Sequence, residues 1–286
     1  MIRCREIGMT DLDAVARLLA YGFTRHSHAW WMAGLQRQSV RDIPEGYPRF
    51  GYMLDHDGKP VGVLLLIYTA RDEGGAISIR CNLSSWYVEP AYRNYAPILT
   101  KVAQRHDHVT YVNISPADWT WPTIETQGFR PYCHGLFFSF PALSRPANGM
   151  RVEIVPRDAK AVESLPEADV AILTRHAAYG CLGLVCRAAD GRGYPFVLQS
   201  MRIKERIAPP AMQLIYCHEV ADYVACAGAI GRFLLRRGKV AIALDANGRM
   251  NDLVGFYRER RRKYFKGPQC PRLADLSDTE LVIHGP

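Results

Sequence analysis

Arg93 sits in a turn, Ala91 to Ala96, whose setting suits the binding of an anion. The turn joins an alternating apolar stretch to a segment that opens with Pro97 and then places Ile98, Leu99, Val102 and Ala103 at helical spacing. Proline fits the first helical turn because the N–H it lacks would have no partner there. The free N–H groups of such a turn and the helix dipole favour negative charge. Arg93 adds a charge-assisted contact. A pyrophosphate would suit that position. The same pattern also suits an ordinary strand–helix unit with a solvated arginine.

Other side chains could do chemistry beside it. Arg80, Asn82 and Ser84 alternate with Ile79, Cys81 and Leu83, so they form a polar row on one face of a strand. That row can face an acidic or hydroxylated substrate, or simply solvent. His26, His28 and His134 have the side chain that titrates nearest neutral pH and are candidate bases. Cys133 and His134 cannot act as a nucleophile pair, because neighbours on a strand point to opposite faces. Trp30, Trp31, Trp119 and Trp121 could line a pocket, but core packing is the better reading. The run Arg258-Glu259-Arg260-Arg261-Arg262-Lys263 reads as a solvated helix end. Its flanking Tyr257 and Tyr264 give weak support for nucleic acid.

The elements that must position these residues follow from periodicity and turn chemistry. Ile77, Ile79, Cys81 and Leu83 alternate, and the alternation then slips by one to Trp86 and Val88. A strand changes faces this way only with an extra residue, so a β-bulge is expected at Ser84-Ser85. Pro90 ends the strand. Upstream lie a strand over 2–7, a helix after Thr10, an irregular helical stretch over 21–38, and a hairpin of strands 50–54 and 61–68. Downstream lie a helix over 97–106, a strand over 109–114, a short helix over 122–127 capped by Gly128, and a strand over 129–140.

This order, with the bulge, Val88-x-Pro90-x-x-Arg93 and the pair Gly128-Phe129, resembles the GNAT acetyltransferase superfamily across about residues 1–142. The match is partial: Ala96 and Ile98 stand where that family has glycine, or glycine and then alanine. The resemblance implies a mixed α/β (α+β) sheet flanked by helices and a reaction in which an amine attacks the thioester of acetyl-CoA or another acyl-CoA. It also implies that Trp86, Tyr87 and Val88 polarise the thioester carbonyl through backbone N–H groups, and that Arg93–Ile98 cradle the pyrophosphate. Alignment of the two substrates would supply much of the acceleration. The family's usual tyrosine acid falls on Ile124, which leaves Tyr95, Tyr111 or Tyr132 for that role. Tyr132 as acid and His134 as base are the catalytic expectations. No metal is expected.

The 286 residues admit one large domain or two ordinary ones. Residues 141–150 are rich in turn formers, so the expected division is 1–142, a linker over 143–150, and 151–286. The second part repeats the coarse order: strand 152–155, helix 159–174, hairpin 183–187 and 195–199, strand 212–217, helix 222–237, strand 240–244, helix 252–263 and a last strand 281–284. It lacks the Val-x-Pro-x-x-Arg turn and reads as a second, degenerate unit of the same fold. Within its helix, Gly228 and Gly231 suit close packing.

A hydrophobic content of 48% with 22% charged residues fits a soluble core-forming protein. No run is long enough to span a membrane, and the N-terminus lacks a signal peptide's apolar region. The eight cysteines have no paired metal-ligand spacing and read as thiols of a reducing cytoplasm. The formal charge of +8 suits a polyanionic cofactor. The expected activity is transfer of an acyl group to a small-molecule amine, without nucleic acid or membrane as partner. The alternative is a non-catalytic protein of the same fold that senses CoA or contacts nucleic acid through 258–266.

Overall fold

The structure, a computed structural model, describes residues 1–73, 75–145, 149–201 and 210–285. Its elements are β1 (Ile2–Glu6), α1 (Leu12–Gly22), α2 (His28–Ser39), β2 (Gly51–His56), β3 (Lys59–Glu73), β4 (Ala76–Val88), α3 (Ala96–Ala103), β5 (Val109–Asn113), α4 (Trp121–Thr126) and β6 (Arg130–Ser139). There follow β7 (Arg151–Ile154), α5 (Glu167–Ala178), β8 (Leu182–Arg187), β9 (Gly193–Met201), β10 (Ala211–Tyr216), α6 (Val220–Leu235), β11 (Ala241–Ala246), β12 (Gly255–Lys266) and α7 (Glu280–Ile283). The first ten elements stand in the expected order. The fold is mixed α/β, with sheets flanked by helices.

The chain forms two compact units, one of 1–130, 263–270 and 278–285, the other of 131–262 and 271–277. These do not follow the halves expected from the sequence. Strand β6 belongs to the second unit, where it pairs with β11 from Ile242↔Ser139 to Ala246↔Gly135. The segment 278–285 returns to the first unit. Part of the expected linker, 146–148, lies outside the described residues, as does Gly74 in the β3–β4 turn.

In the first unit, β1, β2, β3 and β4 are antiparallel neighbours, β4 and β5 are parallel, and the end of β12 pairs antiparallel with β5. One face packs on α1 and α2 through Val15, Leu19, Trp31, Leu35, Met53 and Leu65. The other packs on α3 and α4 through Leu66, Tyr68, Cys81, Leu83, Leu99 and Ile124. Gly128 follows α4 at φ +86°, a conformation glycine adopts without strain.

In the second unit, β6, β11, β10, β9, β8 and β7 lie in that order. Phe196, Leu198, Leu214, Tyr223, Ile230 and Leu244 form its core. Gly231 faces the backbone of Pro141 and Ala142 so closely that a Cβ would come within 2.2 Å, so the close packing expected there is present.

Three expected elements differ. The first is the helix expected over 252–263, where Arg, Glu and Lys are good helix formers. The chain is instead the strand β12: Tyr264 and Phe265 pair with Asn113 and Val112, and the Tyr264 hydroxyl donates to Glu125 Oε1 at 2.9 Å. Tertiary pairing overrides propensity here. The expected strand 281–284 is the short helix α7, since periodicity cannot decide so short an apolar run. The helix expected at 159–174 begins only after Pro166, which serves at a helix start and not inside one. Among the described residues, no helix is long and apolar enough to cross a membrane.

Candidate active site

The site of the first unit starts from a register fault. Strand β4 pairs with β3 as Leu65↔Ser84 and then as Val63↔Tyr87, so Ser85 and Trp86 oppose Leu64 alone. This is the bulge expected from the slipped alternation, placed one residue later than Ser84-Ser85, and Ser85 adopts φ +53° to make it. Its consequence is the one anticipated. Ile79, Cys81, Leu83, Trp86 and Val88 all pack against the same core cluster.

Beyond the bulge the two parallel strands part. The pairing of β4 with β5 runs from Ile79↔Val109 to Asn82↔Val112, while β4 continues to Val88 on β3 alone. Among the described residues, no other strand pairs with β4 past Asn82. The fork leaves one backbone edge of Leu83–Val88 without a strand partner among the described residues. Tyr87 packs against the α1–α2 side, its ring against Tyr21 and Phe23 at 6.4 and 6.1 Å between centroids. Gly22 lies beneath it, where a Cβ would come within 2.4 Å of the ring.

After β4 the chain makes a 3-10 turn over Pro90–Tyr95 that runs directly into α3. Pro97 stands in the first turn of that helix, as expected. The Ala96 N–H donates to the Arg93 carbonyl, and Ala96 has φ −55°, an ordinary helical value. Alanine and isoleucine at 96 and 98 are thus accommodated by helical backbone, with no residue from 90 to 98 at positive φ. Arg93, Asn94, Tyr95, Pro97 and Ile98 are exposed at this corner.

The polar row is buried where it nears the fork. Asn82 and Ser84 are only 1% and 2% exposed, and Arg80 is intermediate. Their face is met by the returning C-terminal segment. The Glu280 N–H donates to Asn82 Oδ1 at 2.7 Å, and Asn82 Nδ2 donates to the carbonyls of Leu83 and Val112 at 3.1 and 3.3 Å. The Glu280 carboxylate accepts from the hydroxyl of Ser115, and the Ser84 hydroxyl, 2.9 Å from Ser85 Oγ, lies near enough to act on its pKa. Burial pushes its pKa up, and the two hydroxyls pull it partly back. The segment is held by Arg37, which donates to the carbonyls of Ile283 and His284 at 2.5 and 2.7 Å, and by Arg41 at 3.6 Å from Asp278.

His284 is buried, with both ring nitrogens unpartnered, and stacks on Trp30 at 5.6 Å. Burial holds its pKa down to about 3. Trp30 also stacks on His26 at 3.8 Å, whereas Trp31 is core, Trp119 is 84% exposed and Trp121 lines the α3–α4 core. His28 is tied to Asp13 at 3.0 Å. Tyr111 is buried, its pKa pushed up to about 12, and its hydroxyl accepts from the His106 N–H at 3.2 Å.

Tyr132 and His134 lie on β6, in the second unit. Asn247 holds both by their backbone: its Nδ2 donates to the Tyr132 carbonyl at 3.0 Å and its Oδ1 accepts the His134 N–H at 2.8 Å. The helix that follows β10, α6, has a carboxylate at its start, with the Glu219 N–H donating to Asp222 Oδ2 at 3.1 Å. An acid there repels phosphate. Beside it is a surface cavity of about 470 Å³ with Asp190, Arg192, Tyr194 and His218 in its wall. His218 pairs with Asp169 at 2.7 Å, which raises its pKa. Among the described residues, no group of three or more His, Cys, Asp or Glu side chains is arranged to hold a metal.

Reading the sequence missed Glu280 and Ser115. No spacing rule connects residues so distant in the chain to the bulged strand.

No model of a protein family matches the sequence, and no curated protein matches it. Solved structures do match. A probable N-acyltransferase from Enterococcus faecalis superposes with a TM-score of 0.59 at 11% identity, over 97% of this chain and 74% of that one. A GCN5-related N-acetyltransferase from Anabaena variabilis gives 0.59 at 11%, over 93% and 72%. Another from Kribbella flavida gives 0.58 at 13%, over 93% and 70%. The chain has the fold of the GCN5-related N-acetyltransferases.

Proposed function

We propose that this chain is an acyl-CoA-dependent N-acyltransferase that moves an acyl group from CoA to the amine of a small molecule by direct attack. The observation that carries the reading is the fork: a strand bulged at Ser85-Trp86 that leaves its parallel neighbour after Asn82. In this reading the pantetheine lies along the open edge, and N–H groups of Trp86–Val88 meet the thioester carbonyl. Such donors act on charge that develops in the transition state, and so lower the barrier without reorganising. The pyrophosphate lies at the corner of Arg93–Ile98.

Thermal unfolding with CoA, acetyl-CoA and longer acyl-CoAs tests this, because a ligand of the native state raises the melting temperature by mass action. Arg93→Ala is expected to weaken CoA affinity about tenfold while the fold survives, as befits one charge-assisted contact. Unchanged affinity would remove the loop from the donor site. The roles expected of Tyr132 and His134 are tested by Tyr132→Phe and His134→Ala. Lost turnover with intact CoA binding supports them, and unchanged turnover removes them.

A second reading, CoA binding without transfer, is favoured by the helical backbone at Ala96 and Ile98, which gives no glycine cradle. Binding of acyl-CoA with no turnover of any amine would select it.

A further inference from the structure

We propose that Glu280 is the base that takes the proton from the acceptor amine, an inference that rests on the acyltransferase reading above. The carboxylate lies where β4 and β5 part. Asn82, at the last paired position of β4, holds the Glu280 N–H at 2.7 Å, Ser115, just past the end of β5, donates to the carboxylate, and the Ser84 hydroxyl lies near it. Ser84 is the residue before the bulge, and the open edge of Trp86–Val88 follows it. A group bound there has the thioester on one side and the carboxylate on the other.

The side chain is also prepared for the task. Glu280 is half-buried, and the hydroxyls beside its carboxylate, of Ser115 and Ser84, are neutral. Cations lie on the elements packed against α7: Arg37 donates to the carbonyls of Ile283 and His284, and Arg41 lies 3.6 Å from Asp278. Arg80 shares the polar face of β4, and His284 follows on the same helix with a lowered pKa. Burial raises the pKa of Glu280, which makes it a stronger base than a solvated glutamate and still ionised above that pKa.

The step balances. An acceptor arriving as an ammonium gives one proton to Glu280, and its freed lone pair attacks the carbonyl carbon. The C–N bond forms, the C–S bond breaks, and CoA leaves as thiolate. The amide nitrogen then loses a second proton, which restores the CoA thiol, and Glu280 releases its proton to solvent.

The test uses the full chain with acetyl-CoA as donor and tyramine, spermidine and glycine methyl ester as acceptor probes, read by CoA release. Glu280→Gln is expected to lower kcat/KM about 100-fold or more at pH 7, while the CoA-induced rise in melting temperature persists. The deficit shrinks as pH rises and the amine loses its own proton, and Glu280→Asp recovers part of the rate. Ser115→Ala, which removes a hydrogen bond that lowers the pKa of Glu280, moves the acid limb of the pH profile to higher pH. It serves equally if Glu280→Gln does not fold. A loss in Glu280→Gln that is the same at every pH, no loss at all, or an acid limb unmoved by Ser115→Ala overturns the role of Glu280 and leaves the acyltransferase reading standing. Wild-type binding of acetyl-CoA without turnover of any probe overturns both the base and catalysis. No binding of any acyl-CoA overturns the donor site itself.

Discussion

At the scale of the residue, the fork depends on close approach as much as on hydrogen bonding. Tyr87 follows the bulge, and its ring lies over Gly22 with room for nothing larger than hydrogen. Gly22→Ala is expected to push the ring and its backbone aside. Overpacking of this kind costs about 1–3 kcal/mol, seen as a lower melting temperature. Acyl-CoA affinity is expected to fall about tenfold, measured by titration of the folded variant. An affinity equal to wild type would mean that Trp86–Val88 do not touch the donor. Gly22 shows how far the sequence was legible at this scale: its identity was plain, but nothing near it in the chain names Tyr87 as its neighbour.

At the scale of the element, the short helix α7 bears the proposed base, and His284 at its end anchors it. The unfolded chain takes up a proton on this histidine below about pH 6.5, whereas the folded protein holds its pKa down to about 3. The stabilisation is therefore fully present above pH 6.5 and is lost as pH falls toward 3. Its slope in that window is about 1.4 kcal/mol per pH unit. The urea midpoint, followed through the fluorescence of Trp30 and Trp31, is expected to drop between pH 7 and 4. In His284→Leu that part of the drop disappears; a slope equal to wild type would mean the ring is not held neutral. The sequence showed α7 only as a β-branched apolar run, which suits a strand as well as a helix.

At the scale of the whole molecule, each unit carries a strand–helix corner, and the two differ in charge. In the first, Arg93 stands at the corner; in the second, Asp222 takes the Glu219 N–H at the start of α6. Titration of the full chain with CoA is expected to give one site per chain, and two equivalent sites would mean that the second unit is not degenerate. By itself the sequence determined the order of the first ten elements, the bulge and the helix end at Gly128. Each of these is written in near neighbours, as a slipped alternation, a proline at a helix start, or a glycine free to take positive φ. Tertiary structure alone decided that the basic run 258–263 is strand, that β6 joins the second unit, and that Glu280 meets Asn82 and Ser115. These rest on pairings between residues far apart in the chain, where the partner fixes the conformation and local propensity does not.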